Sequence, residues 1–190
     1  MTPQELLSIL EVAGNLKKNT RHCYIEGDRK ESVADHCWRI SLMAMLFRGE
    51  EAFRDVDLDK VVRMCLIHDL GEAFTGDIPT FLKSPGDENK EEEIFDRWVA
   101  SFPSPQREEW QELLSEMKAM ESREALVYKM LDKMEAVISH DETDIATWLP
   151  LEYDLQLSYM NEHVKRCPEF LPYKEAIDDW TKRKIEESRG

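Results

Sequence analysis

Apolar residues recur along this chain at the three- to four-residue spacing of amphipathic helices, and no segment alternates with a period of two. Thr2, Ser32, Asp57 and Ser104 stand where capping residues of helices are expected. We therefore predict an all-α, single-domain helical bundle over residues 1–190, without a β-sheet. The predicted helices lie near residues 3–13, 32–49, 58–74, 87–101, 104–119, 122–140, 151–166 and 171–187. The segments 14–31 and 75–86 are candidate functional loops.

The excess of acidic residues limits which molecules the protein is expected to bind. The chain has 25 Lys and Arg residues against 40 Asp and Glu residues, a formal net charge of -15. Because nucleic-acid polymers select basic surfaces, we expect no DNA or RNA partner. A small anionic ligand is compatible with the chain, since residues 17–30 hold five basic residues against two acidic ones, a local net charge of +3.

The cysteines and the hydropathy of the chain indicate the cellular compartment of the protein. The four cysteines form no CxxC motif and no regular framework, which predicts reduced thiols in a cytoplasmic protein; they are Cys23, Cys37, Cys65 and Cys167. No apolar run reaches transmembrane length, and the N-terminal residues do not resemble a signal peptide. We therefore expect no membrane partner.

Ionisable side chains interrupt the apolar faces of three predicted helices. In CLIHDLGEAFTGDIP (65–79), His68 and Glu72 continue an apolar stripe, and Asp69 lies beside it. His36 shares the inward face of the second helix, and Asp132 stands among apolar residues in KMLDKMEA (129–136). Buried carboxylates are costly unless they are paired or bind a metal, so a shared divalent cation would satisfy all of these groups.

Each of these residues also has a simpler explanation when it is taken alone. His36 could be a hydrogen-bonded core histidine, and Asp132 could form an ion pair with Lys129 or Lys133. A second His-Asp pair, in SHDETDIAT (139–147), stands in a polar stretch near a predicted helix end. We interpret this second pair as a solvated helix terminus.

The stretches ESVADH (31–36), CLIHDLGEAFTGDIP and KMLDKMEA together resemble the HD-domain metallophosphohydrolases, and more narrowly their deoxynucleotidase branch. The similarity covers a motif core of about 14–140, on which we expect the C-terminal helices within 151–187 to pack. The resemblance implies that His36, His68, Asp69 and Asp132 are the metal ligands. Mixed nitrogen and oxygen ligands suit Mn²⁺, Co²⁺, Fe²⁺ or Mg²⁺. One ion is expected, because two-metal members carry further histidines and none occurs here between 70 and 131.

The same resemblance implies roles for substrate-facing residues. Glu72 matches the acidic residue that activates the attacking water, and Asp77 matches a residue near the sugar and the reaction centre. Arg21 matches an arginine that holds the substrate, and Lys83 is a weaker phosphate candidate. Tyr24 falls where many relatives carry Trp, so we expect it to contact the sugar with weaker discrimination against ribonucleotides.

The function implied is a 5′-deoxynucleotidase that hydrolyses 2′-deoxyribonucleoside 5′-monophosphates to nucleoside and phosphate, with tolerance for the base. A homodimer is possible because relatives commonly dimerise. Three alternatives stay open: an HD-type phosphohydrolase acting on another phosphate ester or a cyclic nucleotide, a non-enzymatic helical metal-binding module, and a zinc site. The zinc site would use His36, Cys37, Cys65 and His68.

Overall fold

Helices dominate the computed structural model, which describes residues 1–188. The all-α prediction is confirmed, with a small hairpin added. Short 3₁₀ turns occur at 14–17, 51–53, 145–147 and 168–170. The longer elements are α1 (Pro3–Ala13), β1 (Thr20–Glu26), β2 (Arg29–Ser32), α2 (Val33–Leu46), α3 (Leu58–Ile67), α4 (Glu72–Thr75), α5 (Pro85–Ala100), α6 (Gln106–Ala119), α7 (Arg123–Glu142), α8 (Glu152–Ser158), α9 (Asn161–Arg166) and α10 (Leu171–Glu187).

The helix starts follow their capping residues. Thr2 and Ser32 each form a capping box, and the Asp57 carboxylate accepts from the backbone N–H of the third helical residue. These three predicted caps are confirmed. The predicted cap at Ser104 is wrong, since α6 begins after Pro105 without a side-chain cap.

The prediction of no β-sheet was also wrong. β1 and β2 form an antiparallel hairpin in which Tyr24 pairs with Lys30, and its register is irregular on both sides of Tyr24. The buried positions of the hairpin include a polar pair, because the Cys23 thiol donates to the Glu31 carboxylate over 3.1 Å. A strand that buries polar groups lacks the apolar alternation by which strands are recognised.

Two predicted helices are broken. The helix expected over 58–74 ends at Ile67, and the chain turns a corner through 68–71 before α4 begins at Glu72. The turn is closed by backbone bonds from Leu70 N–H to the Ile67 carbonyl and from Glu72 N–H to the Asp69 carbonyl. The helix expected over 151–166 divides into α8 and α9. The ionisable residues within 68–71 therefore do not continue the axis of α3.

The centre of the fold is formed by α2, α3 and α7, which pack against one another. Side chains such as Ile40, Met64 and Leu131 are fully buried there. Truncating a core residue of this size to Ala typically costs about 2–5 kcal/mol of stability. The apolar core continues to Ile177 of α10, which packs against α7.

The contact between α7 and α10 corrects one interpretation. The Thr181 hydroxyl donates to Asp141 Oδ2 over 2.7 Å, and only 2% of Asp141 is exposed. The His140–Asp141 pair is therefore not a solvated helix terminus. The pair lies where α7 meets later helices, and these contacts join residues distant in sequence.

Two further observations concern the whole fold. All four cysteines are free, and each is buried. Within residues 1–188, no helix combines the length and the apolar composition that crossing a bilayer requires.

Candidate metal centre and active site

Four side chains from three parts of the fold converge at one point. His36 comes from α2, His68 and Asp69 come from the corner after α3, and Asp132 comes from α7. His36 Nε2 lies 3.2 Å from Asp132 Oδ1 and 3.8 Å from Asp69 Oδ2. His68 Nε2 lies 3.0 Å from Asp69 Oδ2 and 3.8 Å from Asp132 Oδ1. We call these four residues the metal cluster.

The hydrogen bonds of the two Nδ1 atoms show how the histidine rings are oriented. His68 Nδ1 donates to the Cys65 carbonyl over 2.9 Å, and His36 Nδ1 donates to the buried Glu135 carboxylate. Each ring then directs the lone pair of Nε2 towards the carboxylates of the metal cluster. Both Nε2 atoms are buried without a hydrogen-bond partner among the described residues. Such an arrangement is typical of histidines that ligate a metal.

The electrostatics of the metal cluster also favour bound positive charge. Burial acts to lower the pKa of His68, but the carboxylate of Asp69 holds that pKa well above its usual range. Burial acts to raise the pKa of Asp132, but Lys129 and Lys133 hold it well below its usual range. The expected ion pair of Asp132 with Lys129 is present, with Lys129 Nζ 2.9 Å from Oδ2. The other oxygen, Oδ1, faces the histidines.

A layer of polar residues behind His36 was missed from sequence. The Glu135 carboxylate is fully buried and accepts from Arg39 Nε over 2.7 Å and from the Ser139 hydroxyl over 2.8 Å. Glu135 therefore fixes the ring of His36. A signal existed, because Asp132, Glu135 and Ser139 follow an i, i+3, i+7 pattern on one helix face.

Arg21 of β1 lies beside the metal cluster. Its Nε atom is 2.9 Å from the Glu31 carboxylate, and its Nη1 atom is 4.0 Å from Asp69 Oδ2. Glu31 Oε1 lies in turn 2.9 Å from the Ser139 hydroxyl oxygen. The hairpin therefore presents a fixed guanidinium next to the predicted ligands, which suits recognition of an anion.

Glu72 lies at the start of α4, just after the corner. Only 5% of the residue is exposed, and its Oε2 atom has no hydrogen-bond partner among the described residues. Burial, reinforced by the carboxylates of Asp69 and Asp77, raises the pKa of Glu72 to about 9. A buried carboxyl beside other acids is the environment in which general acids and bases are found.

Asp77 reaches the same region because α4 ends in a sharp turn. Gly76 adopts φ +76° and ψ 164°, a conformation that is essentially restricted to glycine. Burial raises the pKa of Asp77, while the Arg21 guanidinium opposes that shift. The TGD sequence is therefore a turn that brings a carboxylate to the metal cluster.

One cavity joins these groups, and we call it the site cavity. At the end nearest the metal cluster it is lined by Arg21, Asp69, Glu72, Asp77, Lys83 and Asp132. Lys83 Nζ also contacts the Glu91 carboxylate at 2.8 Å. All the predicted site residues except Tyr24 lie at the site cavity or, like His36 and His68, directly behind its wall.

Tyr24 is placed elsewhere. Its ring lies beside Lys30 of the same hairpin, with the ammonium 5.5 Å from the ring centroid, and it does not line the site cavity. His22 lines the site cavity instead, and its ring meets Phe81 edge-on at 5.6 Å between centroids. The irregular register of β1 brings three consecutive residues, 21–23, to the site cavity. A regular strand would alternate them between two faces.

The cysteine-based zinc site is not supported. Cys37 Sγ approaches His68 from the Nδ1 side, at 3.9 Å, whereas Nε2 faces the carboxylates. Burial raises the pKa of Cys65 to about 12, which disfavours the thiolate that zinc requires. Across residues 1–188, the clusters close enough to share a cation contain only histidines and carboxylates.

Comparison with known proteins identifies the family. The sequence model of the HD domain family matches residues 13–170. The human and mouse proteins named 5′-deoxynucleotidase HDDC2 are each 33% identical to this chain. The matches cover 73% of this chain and 68% of the human protein, and 72% of this chain and 69% of the mouse protein.

A solved structure described as a predicted metal-dependent phosphohydrolase, from Magnetospirillum magnetotacticum, is similar throughout. Its TM-score is 0.77 at 26% sequence identity, and the match covers 95% of both chains. A helical fold with two histidines and two aspartates converging from α2, the corner after α3 and α7 defines the class. This chain belongs to the HD-domain family of metal-dependent phosphohydrolases, as the resemblance of its motifs predicts.

Proposed function

We propose that this protein is a 5′-deoxynucleotidase, which hydrolyses 2′-deoxyribonucleoside 5′-monophosphates to deoxynucleoside and phosphate with the help of one divalent cation. The observation that carries the proposal is the pair of buried Nε2 atoms of His36 and His68, unpartnered and facing two carboxylates. The relatives named 5′-deoxynucleotidase support the choice of substrate.

His36, His68, Asp69 and Asp132 would hold the cation. Two imidazoles and two carboxylates form a donor set that suits Mn²⁺, Co²⁺, Fe²⁺ or Mg²⁺ and leaves room for further ligands. When bound, such a cation supplies Lewis-acid charge to the phosphate and lowers the pKa of a nearby water. Glu135 and the Cys65 carbonyl support this role, since they hold both rings with Nε2 facing the carboxylates of the metal cluster.

Glu72 is the general base. Its carboxylate takes a proton from the attacking water as the new oxygen–phosphorus bond forms and the bond to the 5′-oxygen breaks. The proton taken up by Glu72 then passes to the departing 5′-oxygen, which leaves as the hydroxyl of the nucleoside. The high pKa of Glu72 results from burial and from neighbouring negative charge, so a cation held by the metal cluster would lower this pKa and favour the carboxylate form.

Arg21 and Lys83 bind the phosphate, and Asp77 accepts a hydrogen bond from a sugar hydroxyl. The guanidinium of Arg21 is oriented by Glu31 before any substrate arrives, which reduces the entropy cost of binding. The local net charge of +3 in residues 17–30 attracts the anion to this side of an otherwise acidic chain.

A substrate panel tests the proposal. The protein is stripped with a chelator and assayed with Mn²⁺, Co²⁺, Fe²⁺ or Mg²⁺ on deoxy- and ribonucleoside 5′-monophosphates, 3′-monophosphates and cyclic nucleotides. We expect metal-dependent phosphate release that is fastest from the deoxynucleoside 5′-monophosphates. Faster turnover of a cyclic nucleotide or another ester would overturn the substrate, and no turnover with any metal would favour a non-enzymatic module.

We also propose that the protein is a cytoplasmic homodimer. Four free, buried thiols support a reducing compartment. Exposed apolar side chains on α2, notably Trp38 at 63%, Met45 at 60% and Leu46 at 71%, support association with a second copy. Light scattering of the wild type and of a Leu46→Glu variant tests this proposal. We expect a dimeric wild type and a monomeric variant, and a monomeric wild type would contradict the proposal.

A further inference from the structure

The basic side chains that line the site cavity differ in how the protein compensates their charge. They are Arg21, Lys83, Lys129 and Lys133. The first three each have a carboxylate oxygen at 2.8–2.9 Å. Lys133 is the exception, because the nearest carboxylate oxygen among the described residues, Asp132 Oδ2, lies 3.8 Å from its Nζ atom. That distance is too long for a hydrogen bond.

A neutral side chain holds the Lys133 ammonium instead. Its Nζ atom donates to the Tyr159 hydroxyl over 2.7 Å and lies 4.3 Å from the centroid of the same ring. An ammonium has three N–H donors, and within residues 1–188 this one makes no other hydrogen bond. Only 14% of the Lys133 side chain is exposed. A charge that is largely withdrawn from water and lacks a close counter-ion favours binding of an anion.

The sequence of α7 places this ammonium beside the metal cluster. Lys129, Asp132, Lys133 and Ala136 follow an i, i+3, i+4, i+7 pattern, and all four line the site cavity. Asp132 Oδ1 lies 3.2 Å from His36 Nε2, whereas Oδ2 faces the two lysines. The Lys133 ammonium and a predicted metal ligand therefore share one wall of the site cavity.

We propose that Lys133 binds the phosphate group of the substrate and that Tyr159 positions its ammonium for this contact. This inference rests on the proposed function and adds a third cationic group to Arg21 and Lys83. A phosphate monoester carries between one and two negative charges near neutral pH. The two N–H groups of Lys133 that the protein leaves unused can donate to its oxygens, and such charge-assisted hydrogen bonds are strong.

Tyr159 also joins Lys133 to the loop on the opposite side of the site cavity. The Tyr159 hydroxyl lies 3.0 Å from Thr80 Oγ1, and Thr80 stands between α4 and α5. Because the Tyr159 oxygen accepts from Lys133, its own hydrogen is available to Thr80. The same loop carries Asp77 and Lys83. Tyr159, which lies outside the motif core, therefore connects the Lys133 ammonium to the loop of two other substrate-facing residues.

Kinetics of Lys133→Met test the phosphate contact. The Mn²⁺-loaded wild type and variant are assayed on dAMP, and bound metal is measured by mass spectrometry. We expect Lys133→Met to lower kcat/KM by about 10- to 100-fold. The variant should retain its metal, because loss of a neighbouring positive charge does not weaken binding of a cation. Lys182→Met, at an exposed position of α10 outside the site cavity, is the matched control and should behave as wild type.

Inhibition separates a contact with phosphate from a general loss of structure. Inorganic phosphate carries the charge that Lys133 would bind, whereas deoxyadenosine carries no phosphate. Lys133→Met should raise the inhibition constant of phosphate by about tenfold or more and leave that of deoxyadenosine unchanged. Lys133→Arg keeps the positive charge and should recover most of the phosphate affinity. Tyr159→Phe, which removes only the hydroxyl, should weaken phosphate inhibition by about two- to tenfold without affecting deoxyadenosine.

Three results would overturn the inference while the deoxynucleotidase proposal stands. They are unchanged phosphate inhibition in Lys133→Met, equal weakening of phosphate and deoxyadenosine, and loss of the metal from this variant. Failure of every nucleotide as a substrate would instead overturn the proposed function. Calorimetric titration of inorganic phosphate into the Mn²⁺-loaded wild type and Lys133→Met would then still decide the role of Lys133, since it requires no turnover. Equal affinities of the two proteins would refute phosphate binding by this residue.

Discussion

His36 Nε2 and Asp132 Oδ1 lie 3.2 Å apart, although the two residues are 96 positions apart in the sequence and stand on α2 and α7. The contact lacks the geometry of a hydrogen bond, and the nitrogen has no other partner among residues 1–188. A lone pair directed at a carboxylate is repulsive unless a positive charge lies between the two atoms. This relationship is the physical basis of the predicted metal centre.

We predict that His36→Ala and Asp132→Ala each lose bound metal and lower kcat/KM by more than about a hundredfold, because each removes a ligand. Metal content by mass spectrometry and phosphate release are the measurements. Asp154→Ala, at an exposed position of α8, is the control and should retain its metal. Stoichiometric metal in either cluster variant would show that the ligands are misassigned.

Glu72→Gln should keep the metal and lose turnover by about 10²- to 10⁴-fold, since the amide cannot accept the proton of the attacking water. The substitution preserves the size of a side chain that is only 5% exposed, so a large loss of stability is not expected. Metal content and single-turnover rates separate binding from chemistry. A metal-free Glu72→Gln protein would instead identify Glu72 as a ligand.

Gly71→Ala should destabilise the corner that carries Glu72. A Cβ atom at Gly71 would lie 2.8 Å from Glu91 Cγ, and Glu91 is itself paired with Lys83. Overpacking of this kind costs about 1–3 kcal/mol, so we expect a melting temperature lower by several degrees and a lower kcat.

Gly86→Ala is the matched control for Gly71. A Cβ atom there would meet no atom closer than 3.7 Å, and the residue lies within the helix α5. Because Ala is a better helix former than Gly, the control should be neutral or slightly stabilising. Equal effects of the two substitutions in calorimetry would show that the approach of Glu91 to the corner is unimportant.

Asp141→Asn should make stability less dependent on pH. Burial raises the pKa of Asp141 to about 6, although the Thr181 hydroxyl and Lys184 oppose that shift. Because this pKa is raised in the folded state, the proton bound by Asp141 contributes to the free energy of unfolding at low pH. That contribution is lost as pH rises through about 6. From pH 5 to pH 8, the free energy of unfolding of the variant should therefore rise by about 1–2 kcal/mol relative to that of the wild type.

Urea unfolding at pH 5 and pH 8 measures this difference. Asp179→Asn, at an exposed position on α10, is the control and should show no comparable change. A stability difference between Asp141→Asn and wild type that is identical at both pH values would show that Asp141 does not titrate in this range.

Tyr24→Ala should leave the ratio of kcat/KM for dAMP to that for AMP close to the wild-type value, because the ring lies on the hairpin beside Lys30 and away from the site cavity. A ring that excluded the 2′-hydroxyl would contribute about 1–3 kcal/mol to this ratio. A fall of about fivefold or more in Tyr24→Ala would show that the residue reaches the sugar after all.

The sequence by itself determined the helical architecture and the inward-facing residue types that meet in the metal cluster. Helix starts at Thr2, Ser32 and Asp57 depend on contacts within one turn, so a local pattern predicts them. The inward positions of His36 and Asp132 follow from the period of their own helices. Such properties need no knowledge of what packs against each helix.

Only the tertiary structure decided which residues surround the site cavity. An irregular hairpin brings His22 rather than Tyr24 to the cavity, and neither strand carries an apolar alternation that predicts it. Glu135 acquires its role from partners on other elements, His36 and Arg39 of α2. Local periodicity reports the face that a residue occupies, whereas a site is formed by faces from distant segments that meet only when the core packs.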